Sequence, residues 1–153
     1  MRAVFLTDGP VLEMGMGYNS SLFLHWACFT TKRPLVSYET NPEYFRFAKD
    51  YRRDFHEVFC IDNWERADIE RPWDVALVDL EPAWKRKDIV RKLANFVKYL
   101  VVHDTEGRSN RIFGFREIFP LFEWQYNYDY SMPKTSVLSN LVDLTNFDDG
   151  WPK

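Results

Sequence analysis

The chain has 153 residues, of which 46% are hydrophobic and 18% aromatic, with a formal net charge of −3. This length suits one domain with a sizeable core, and we expect a single domain over residues 1–153. The charge does not favour a nucleic-acid partner, and no apolar run reaches the roughly 20 residues that span a bilayer. Two cysteines without a secretory leader predict a reducing, cytoplasmic setting in which both thiols are buried.

The stretch from Val11 to Ser21 predicts a strand, a tight glycine turn and the start of a helix. Gly15 and Gly17 lie two apart, and an apolar segment from Ser21 to Thr30 follows; we expect this segment to be a helix buried on most sides. Glycine is needed where the backbone takes positive φ or where a ligand touches the main chain. Unpaired N–H groups at a helix start favour an anion. The candidate caps are Asn19, Ser20 and Ser21.

The second strand, Leu35 to Glu39, ends in a carboxylate. Glu39 follows Gly15 by 24 residues, close to the roughly 20 expected for a carboxylate that receives the two ribose hydroxyls of a nucleotide ligand. The alternative is that Glu39 caps the next helix. We favour the ligand interpretation because the glycine turn and the strand-end carboxylate occur together. A third strand, His56 to Cys60, precedes Asp62, Asn63 and Trp64.

Two later strands also end in polar side chains. Trp73 to Leu80 is continuously apolar at its centre, as in a parallel sheet covered on both faces, and it ends around Asp79. Lys98 to Val102 is followed by His103 and Asp104. Ligands of open α/β sheets bind outside the carboxyl ends of the strands, so these three polar residues are candidate site residues.

Between these strands, Lys85 to Val97 is predicted to be an amphipathic helix. Its basic residues are assigned to a solvated outer face: Lys85, Arg86, Lys87, Arg91 and Lys92.

The last part of the chain predicts an antiparallel hairpin. Glu123 to Tyr130 alternates aromatic and polar residues, and Thr135 to Leu141 supplies the partner strand. The aromatic row is interpreted as sheet packing, with a substrate pocket or a homodimer surface as alternatives. The arginines of the loop 107–111 could contact a substrate anion, and the tail from Asp148 is expected to be loosely ordered.

Together these motifs resemble the class I S-adenosylmethionine (SAM) dependent methyltransferases over roughly residues 9–106. The resemblance rests on Glu13-x-Gly15-x-Gly17, Glu39, the run Asp74–Asp79 and the run Val101–Asp104. It implies a Rossmann-like α/β fold: a doubly wound, mostly parallel sheet with a C-terminal antiparallel hairpin and helices on both faces. In one departure from the family pattern, Asn19 stands where a third glycine is usual.

The resemblance also implies roles for particular residues. Glu13, Gly15 and Gly17 would shape the methionine end of the pocket, Glu39 would hold the ribose, and Asp62 would meet the adenine. The full set of candidate cofactor residues is Glu13, Gly15, Gly17, Asn19, Ser20, Glu39, Asp62 and Asn63.

Catalytic residues follow from a narrower resemblance, to the metal-dependent catechol-type O-methyltransferases. There, a carboxylate after strand four and an acidic pair after strand five hold a divalent cation. Asp79 and Asp104 are the corresponding candidate ligands, for Mg²⁺ or another divalent cation. His103 is a rival candidate as general base, and in a third interpretation His103 and Asp104 only pair with each other or with the loop.

The function expected from the sequence is SAM-dependent O-methylation of a small-molecule acceptor by Asp79, His103 and Asp104. One alternative is a non-catalytic SAM-binding or scaffold protein, motivated by the short chain. The other is an NAD-binding oxidoreductase, although the dinucleotide fingerprint requires a third glycine where this chain has Ser20.

Overall fold

The computed structural model describes residues 2–107 and 112–148. The predicted loop arginines Arg108 and Arg111 and the tail beyond Asp148 lie outside the described residues. Seven strands form one sheet in the order β3-β2-β1-β4-β5-β7-β6. The strands are β1 Val11–Met14, β2 Leu35–Glu39, β3 His56–Cys60, β4 Trp73–Val78, β5 Val97–His103, β6 Trp124–Tyr128 and β7 Thr135–Ser139.

The first five strands are parallel, and the last two form an antiparallel hairpin that joins the sheet through β7. The predicted doubly wound, mostly parallel α/β fold with a C-terminal hairpin is therefore confirmed. Because β1 lies between β2 and β4, the order of the strands reverses beside the glycine turn, which is where ligands of such sheets bind.

Within the described residues, five α-helices of known bounds lie around the sheet: α1 Arg2–Phe5, α2 Ser20–Thr31, α3 Pro42–Ala48, α4 Arg86–Leu93 and α5 Phe115–Ile118. Helices α1 and α2 pack on the face that carries Val11, Leu35 and Val75. Helices α4 and α5 pack on the opposite face. Alternate residues of the central strands β1, β2 and β4 thus enter two separate cores, which explains why β1 and β2 are fully buried.

Helix α2 differs from its predicted environment. Leu24, Ala27 and Cys28 face the sheet, but Leu22, Trp26 and Phe29 are 54%, 53% and 64% exposed. The prediction that this helix is buried on most sides is wrong, because only one face of α2 packs on the sheet. The result is a row of large apolar side chains in contact with solvent.

Other predictions were partly wrong at element ends. Helix α4 runs only from Arg86 to Leu93, Val97 already belongs to β5, and β4 ends at Val78. Cys28 is buried as expected, but Cys60, at the end of the outermost strand β3, is exposed. Among the described residues, no helix has the length and apolar character needed to cross a membrane.

Candidate functional site at the carboxyl edge of the sheet

The glycine turn after β1 is wedged between two neighbouring strands. Gly15 has φ +92°, and a Cβ placed there would lie 2.3 Å from the carbonyl oxygen of Asp79 and 2.6 Å from the Cα of Leu80. Its N–H donates to Tyr38 O at 3.0 Å. Gly15 is therefore required both for its backbone conformation and for the close approach of the segment after β4.

The start of α2 is anchored by Ser21 rather than by a conventional cap. Asn19 occupies the cap position in a helical conformation, and its side chain makes no capping hydrogen bond. Instead, the Gly17 N–H donates to Ser21 Oγ at 3.1 Å, and this hydroxyl donates to Glu13 Oε1 at 2.9 Å. Asn19 is in the right-handed helical region, and the positive φ of this turn is at Gly15.

Glu13 lies beneath the glycine turn and is completely buried. Ser37 Oγ donates to its second oxygen at 2.7 Å and also lies 2.9 Å from His56 Nε2. Burial raises the pKa of Glu13 to about 7, opposed by the hydroxyl donors. Glu13 thus supports the turn from below through Ser21 and Ser37.

Glu39 connects the turn to the start of α3. One carboxylate oxygen accepts from the Met16 N–H at 2.8 Å, and the other accepts from the N–H groups of Thr40 and Asn41, each at 2.7 Å. The helix itself is capped by Asn41, whose Oδ1 accepts from the Glu43 N–H. Glu39 therefore holds the loops on both sides of the switch point, and its ribose role stays a prediction.

The candidate adenine residues lie on an exposed turn. Asp62 pairs with Arg66 at 3.2 Å, and both side chains are largely exposed. Asn63 Oδ1 accepts from the Glu65 N–H. Trp64 is buried and donates from Nε1 to Glu81 O at 2.8 Å. Trp64 therefore fills the space between the loops that follow β3 and β4.

A charged cluster joins the ends of β4 and β5. Arg86, which is 3% exposed, reaches Asp79 Oδ1 and Asp104 Oδ2, each at 2.8 Å. It also donates to Leu80 O at 2.9 Å and His103 O at 3.1 Å. Asp104 has φ +58°, in the left-handed region that aspartate tolerates better than most residues. One buried guanidinium thus fixes both strand-end carboxylates.

Arg86 is the site residue that the sequence analysis missed. Helical periodicity placed it on a solvated face, and this was wrong, because Arg86 is the first residue of α4 and points under the strand ends. A usable signal was present. Two carboxylates predicted to end neighbouring buried strands need a nearby counter-charge, and the basic residues nearest to Asp79 in the sequence are Lys85 and Arg86, at the start of the next helix.

The remaining carboxylate oxygens face His103. Its Nδ1 lies 3.2 Å from Asp104 Oδ1 and 3.5 Å from Asp79 Oδ2. Within the described part of the chain this buried nitrogen has no well-aligned hydrogen-bond partner, and the two contacts are ion pairs only when the ring is protonated. The Asp79 carboxylate raises the pKa of His103 above its usual value, against the effect of burial. Burial opposes ionisation of Asp79, but His103 and Arg86 hold its pKa below the usual value.

This cluster has side-chain atoms that could bind a metal ion, but it already contains the positive charge of Arg86. One donor atom from each of Asp79, His103 and Asp104 lies within 4.8 Å of the others. Each carboxylate also contacts the guanidinium of Arg86. A divalent ion here would lie beside a fixed positive charge in a partly buried site, which opposes its binding. The geometry fits a histidine base held by carboxylates better than it fits a metal centre.

A cleft of about 270 Å³ opens beside His103. Its lining includes Asn19 and Ser20 from the start of α2, Leu77 from β4 and Thr135 from β7. The structure therefore brings three predicted site residues, Asn19, Ser20 and His103, to one cleft. Asp62 and Asn63 are not part of its lining.

Comparison with known proteins gives matches in fold. No protein-family model matches the chain, and no curated protein matches it. Among solved structures, the SAH-bound methyltransferase PaMTH1 from Podospora anserina has a TM-score of 0.68 at 12% identity, covering 90% of this chain and 76% of that one. A putative O-methyltransferase from Klebsiella pneumoniae has a TM-score of 0.64 at 10% identity, with 86% and 73% covered.

The N-terminal domain of human METTL16 in complex with SAH has a TM-score of 0.62 at 12% identity, covering 88% of this chain and 62% of that one. These likenesses extend over most of the chain at very low sequence identity. They show that the chain has the Rossmann-like α/β fold of these methyltransferases.

Proposed function

We propose that this protein is a SAM-dependent methyltransferase that methylates a hydroxyl group of a small molecule. The observation that carries the proposal is the position of His103, whose Nδ1 faces two carboxylates, in a cleft that begins at the first turn of α2. This is the edge of the sheet at which a ligand is expected. SAH-bound structures with the same fold support SAM as the cofactor.

The candidate cofactor residues keep their predicted roles in this proposal. Gly15, Gly17, Asn19 and Ser20 form the turn and helix start for the methionine end. Glu39 receives the ribose; its carboxylate lies at the loop joining β2 to α3, where Met16, Thr40 and Asn41 hold it in one orientation. Asp62 and Asn63 follow β3 on the adenine side. Glu13 acts from beneath the turn.

SAM supplies a methyl group activated by a sulfonium. The chain's own task is to align the acceptor oxygen and to remove its proton. Asp79 and Asp104 hold the Nδ1 side of His103 and stabilise its protonated form, while Arg86 fixes both carboxylates. His103 Nε2 then takes the acceptor proton. A divalent cation at Asp79 and Asp104 is the alternative route, which the neighbouring Arg86 disfavours.

Replacing His103 with glutamine is expected to lower the rate of SAH formation by ~10²- to 10⁴-fold, the usual contribution of a general base. The wild-type rate should rise with pH through a pKa above 6.5, because only neutral His103 accepts a proton and Asp79 raises its pKa. Asp79→Asn should shift this rise to lower pH. The measurement is SAH release from SAM with a panel of phenols and aliphatic alcohols.

Phe29→Ala is the control, since Phe29 is exposed on α2 away from the cleft. Turnover that survives in His103→Gln with an unchanged pH profile would remove His103 from the chemistry.

One observation favours a non-catalytic alternative. The exposed row Leu22, Trp26 and Phe29 on α2 is the kind of apolar surface that marks a protein contact. A SAM-binding scaffold protein would bind SAM and release no SAH, and Asp79→Ala and His103→Ala would leave its affinity for SAM unchanged.

A further inference from the structure

A second cavity adjoins the cleft beside His103 on the same face of the sheet. This second lobe has a volume of about 310 Å³, and the first about 270 Å³. Both are lined by Ala3 of α1, Val101 of β5 and Thr135 of β7. The two lobes therefore lie side by side along these three residues, and we name them together the hairpin groove, which extends from the candidate base towards the hairpin of β6 and β7.

The strand register determines the floor of the hairpin groove. His103 pairs with Thr135, which in turn pairs with Tyr128. Two residues along on the same face, Val101 pairs with Val137, which pairs with Tyr126. Paired residues on neighbouring strands project to the same face of a sheet. The floor is thus two parallel rows, each of which crosses β5, β7 and β6, and the candidate base lies at the end of one row.

The far part of the groove carries three aromatic side chains, Tyr126, Tyr128 and Phe147. Phe147 packs against Tyr126 with ring centroids 5.0 Å apart and against Tyr99 at 5.6 Å. Arg2 and Asp148 also line this end. Burial, together with the adjacent Asp148, raises the pKa of Tyr126 to about 12, so its hydroxyl stays neutral. This end offers ring faces to a ligand and has acidic and basic groups that balance each other.

The dimensions limit the ligand. Neighbouring strands lie roughly 4.8 Å apart, so the row from His103 over Thr135 to Tyr128 spans roughly 10 Å. A compound of two fused rings fills this length, and a single ring fits within it. A ring pair over Thr135 and Val137 would meet the edges or faces of Tyr126 and Tyr128, an arrangement that aromatic groups favour. Its hydroxyl group would then reach His103.

We propose that the hairpin groove binds the methyl acceptor and that this acceptor is a neutral hydroxyarene of one or two rings. The inference rests on the proposed function and names its substrate class. In the transfer, the acceptor O–H bond breaks and its proton goes to His103 Nε2, while the oxygen forms a bond to the methyl carbon. The carbon–sulfonium bond breaks, and its electron pair stays on sulfur, which leaves neutral SAH.

The test uses 2-naphthol as the probe and fluorescence titration of the full chain as the measurement. Wild type should bind 2-naphthol more tightly than 2-methoxynaphthalene, which has no proton to donate to His103. Thr135→Tyr, which fills the middle of the groove with a residue that strands tolerate, should weaken binding at least tenfold. Tyr128→Ala, at a position 39% exposed, should weaken it severalfold without disturbing the core. Phe29→Ala should have no effect.

Equal affinity of all four proteins for 2-naphthol, with their folds verified by circular dichroism, would overturn the inference, as would equal affinity of wild type for the two probes. SAH formation is followed separately in the presence of SAM. Groove binding without SAH release would support the groove and contradict methyl transfer. SAH release from aliphatic alcohols alone would support methyl transfer and contradict the hydroxyarene groove.

Discussion

Gly15→Ala is expected to lower the free energy of unfolding by about 3 kcal/mol or more, from left-handed strain and an overpacked contact together. The contact cannot relax cheaply, because the added Cβ meets main-chain atoms of Asp79 and Leu80 at 2.3 to 2.7 Å. The turn would have to move away from β4, and the affinity for SAM should fall with it. Urea unfolding of wild type and variant measures the change in stability.

Gly17→Ala is the matched control two residues along the chain. A Cβ there would lie 3.2 Å from Ser20 Oγ, a side chain that can rotate, and Gly17 lies outside the left-handed region. We expect Gly17→Ala to lower the free energy of unfolding by about 1 kcal/mol or less, in the range of ordinary substitutions. Equal destabilisation by the two alanines would contradict the geometry described for the turn.

Arg86→Met is expected to destabilise the protein by about 3 kcal/mol at neutral pH, because it leaves Asp79 and Asp104 without their buried partner. This is the lower end of the range for such losses, since the two carboxylate side chains remain 34% and 28% exposed. Methionine retains apolar contacts in place of the arginine stem. Thermal and urea unfolding across pH give the difference between the two proteins.

The pH dependence of this loss of stability shows whether it comes from the lost charge of Arg86. Wild-type Asp79 has a lowered pKa, so its pairing stabilises the fold above the unfolded pKa and is lost as pH falls through the folded value. The difference between wild type and Arg86→Met should therefore shrink below about pH 4. Arg91→Met is the control, because Arg91 is exposed and reaches Asp88 only at 4.0 Å. A pH-independent difference would indicate lost packing rather than lost charge.

Much of the fold follows from the sequence because buried parallel strands are continuous apolar runs. Strands β2 and β3 have the predicted bounds, and the predicted hairpin joins β5 through β7. The pattern of apolar residues was less informative about which faces of α2 are buried. Its residues are apolar all round, and composition alone does not reveal that one face has no covering element.

Site residues were predictable from the sequence where their role depends on the local backbone alone. Gly15 was identified because its conformation and its close contact are local properties of a turn. The role of Arg86 depends on two strand ends, Asp79 and Asp104, that are distant in sequence from each other and meet only in the folded sheet. The same holds for Glu13, whose partner Ser37 belongs to the neighbouring strand. Periodicity within one helix or strand carries no information about such contacts.

Isothermal titration of the full chain with SAM, with NAD as the comparison ligand, shows whether the glycine turn and the cleft beside His103 form a SAM site. We predict micromolar binding of SAM that is weakened by Gly15→Ala, no binding of NAD, and no change on adding Mg²⁺, since Arg86 already provides the positive charge between Asp79 and Asp104. A folded protein that binds NAD, or that gives no heat with SAM in the presence or absence of Mg²⁺, would contradict the account.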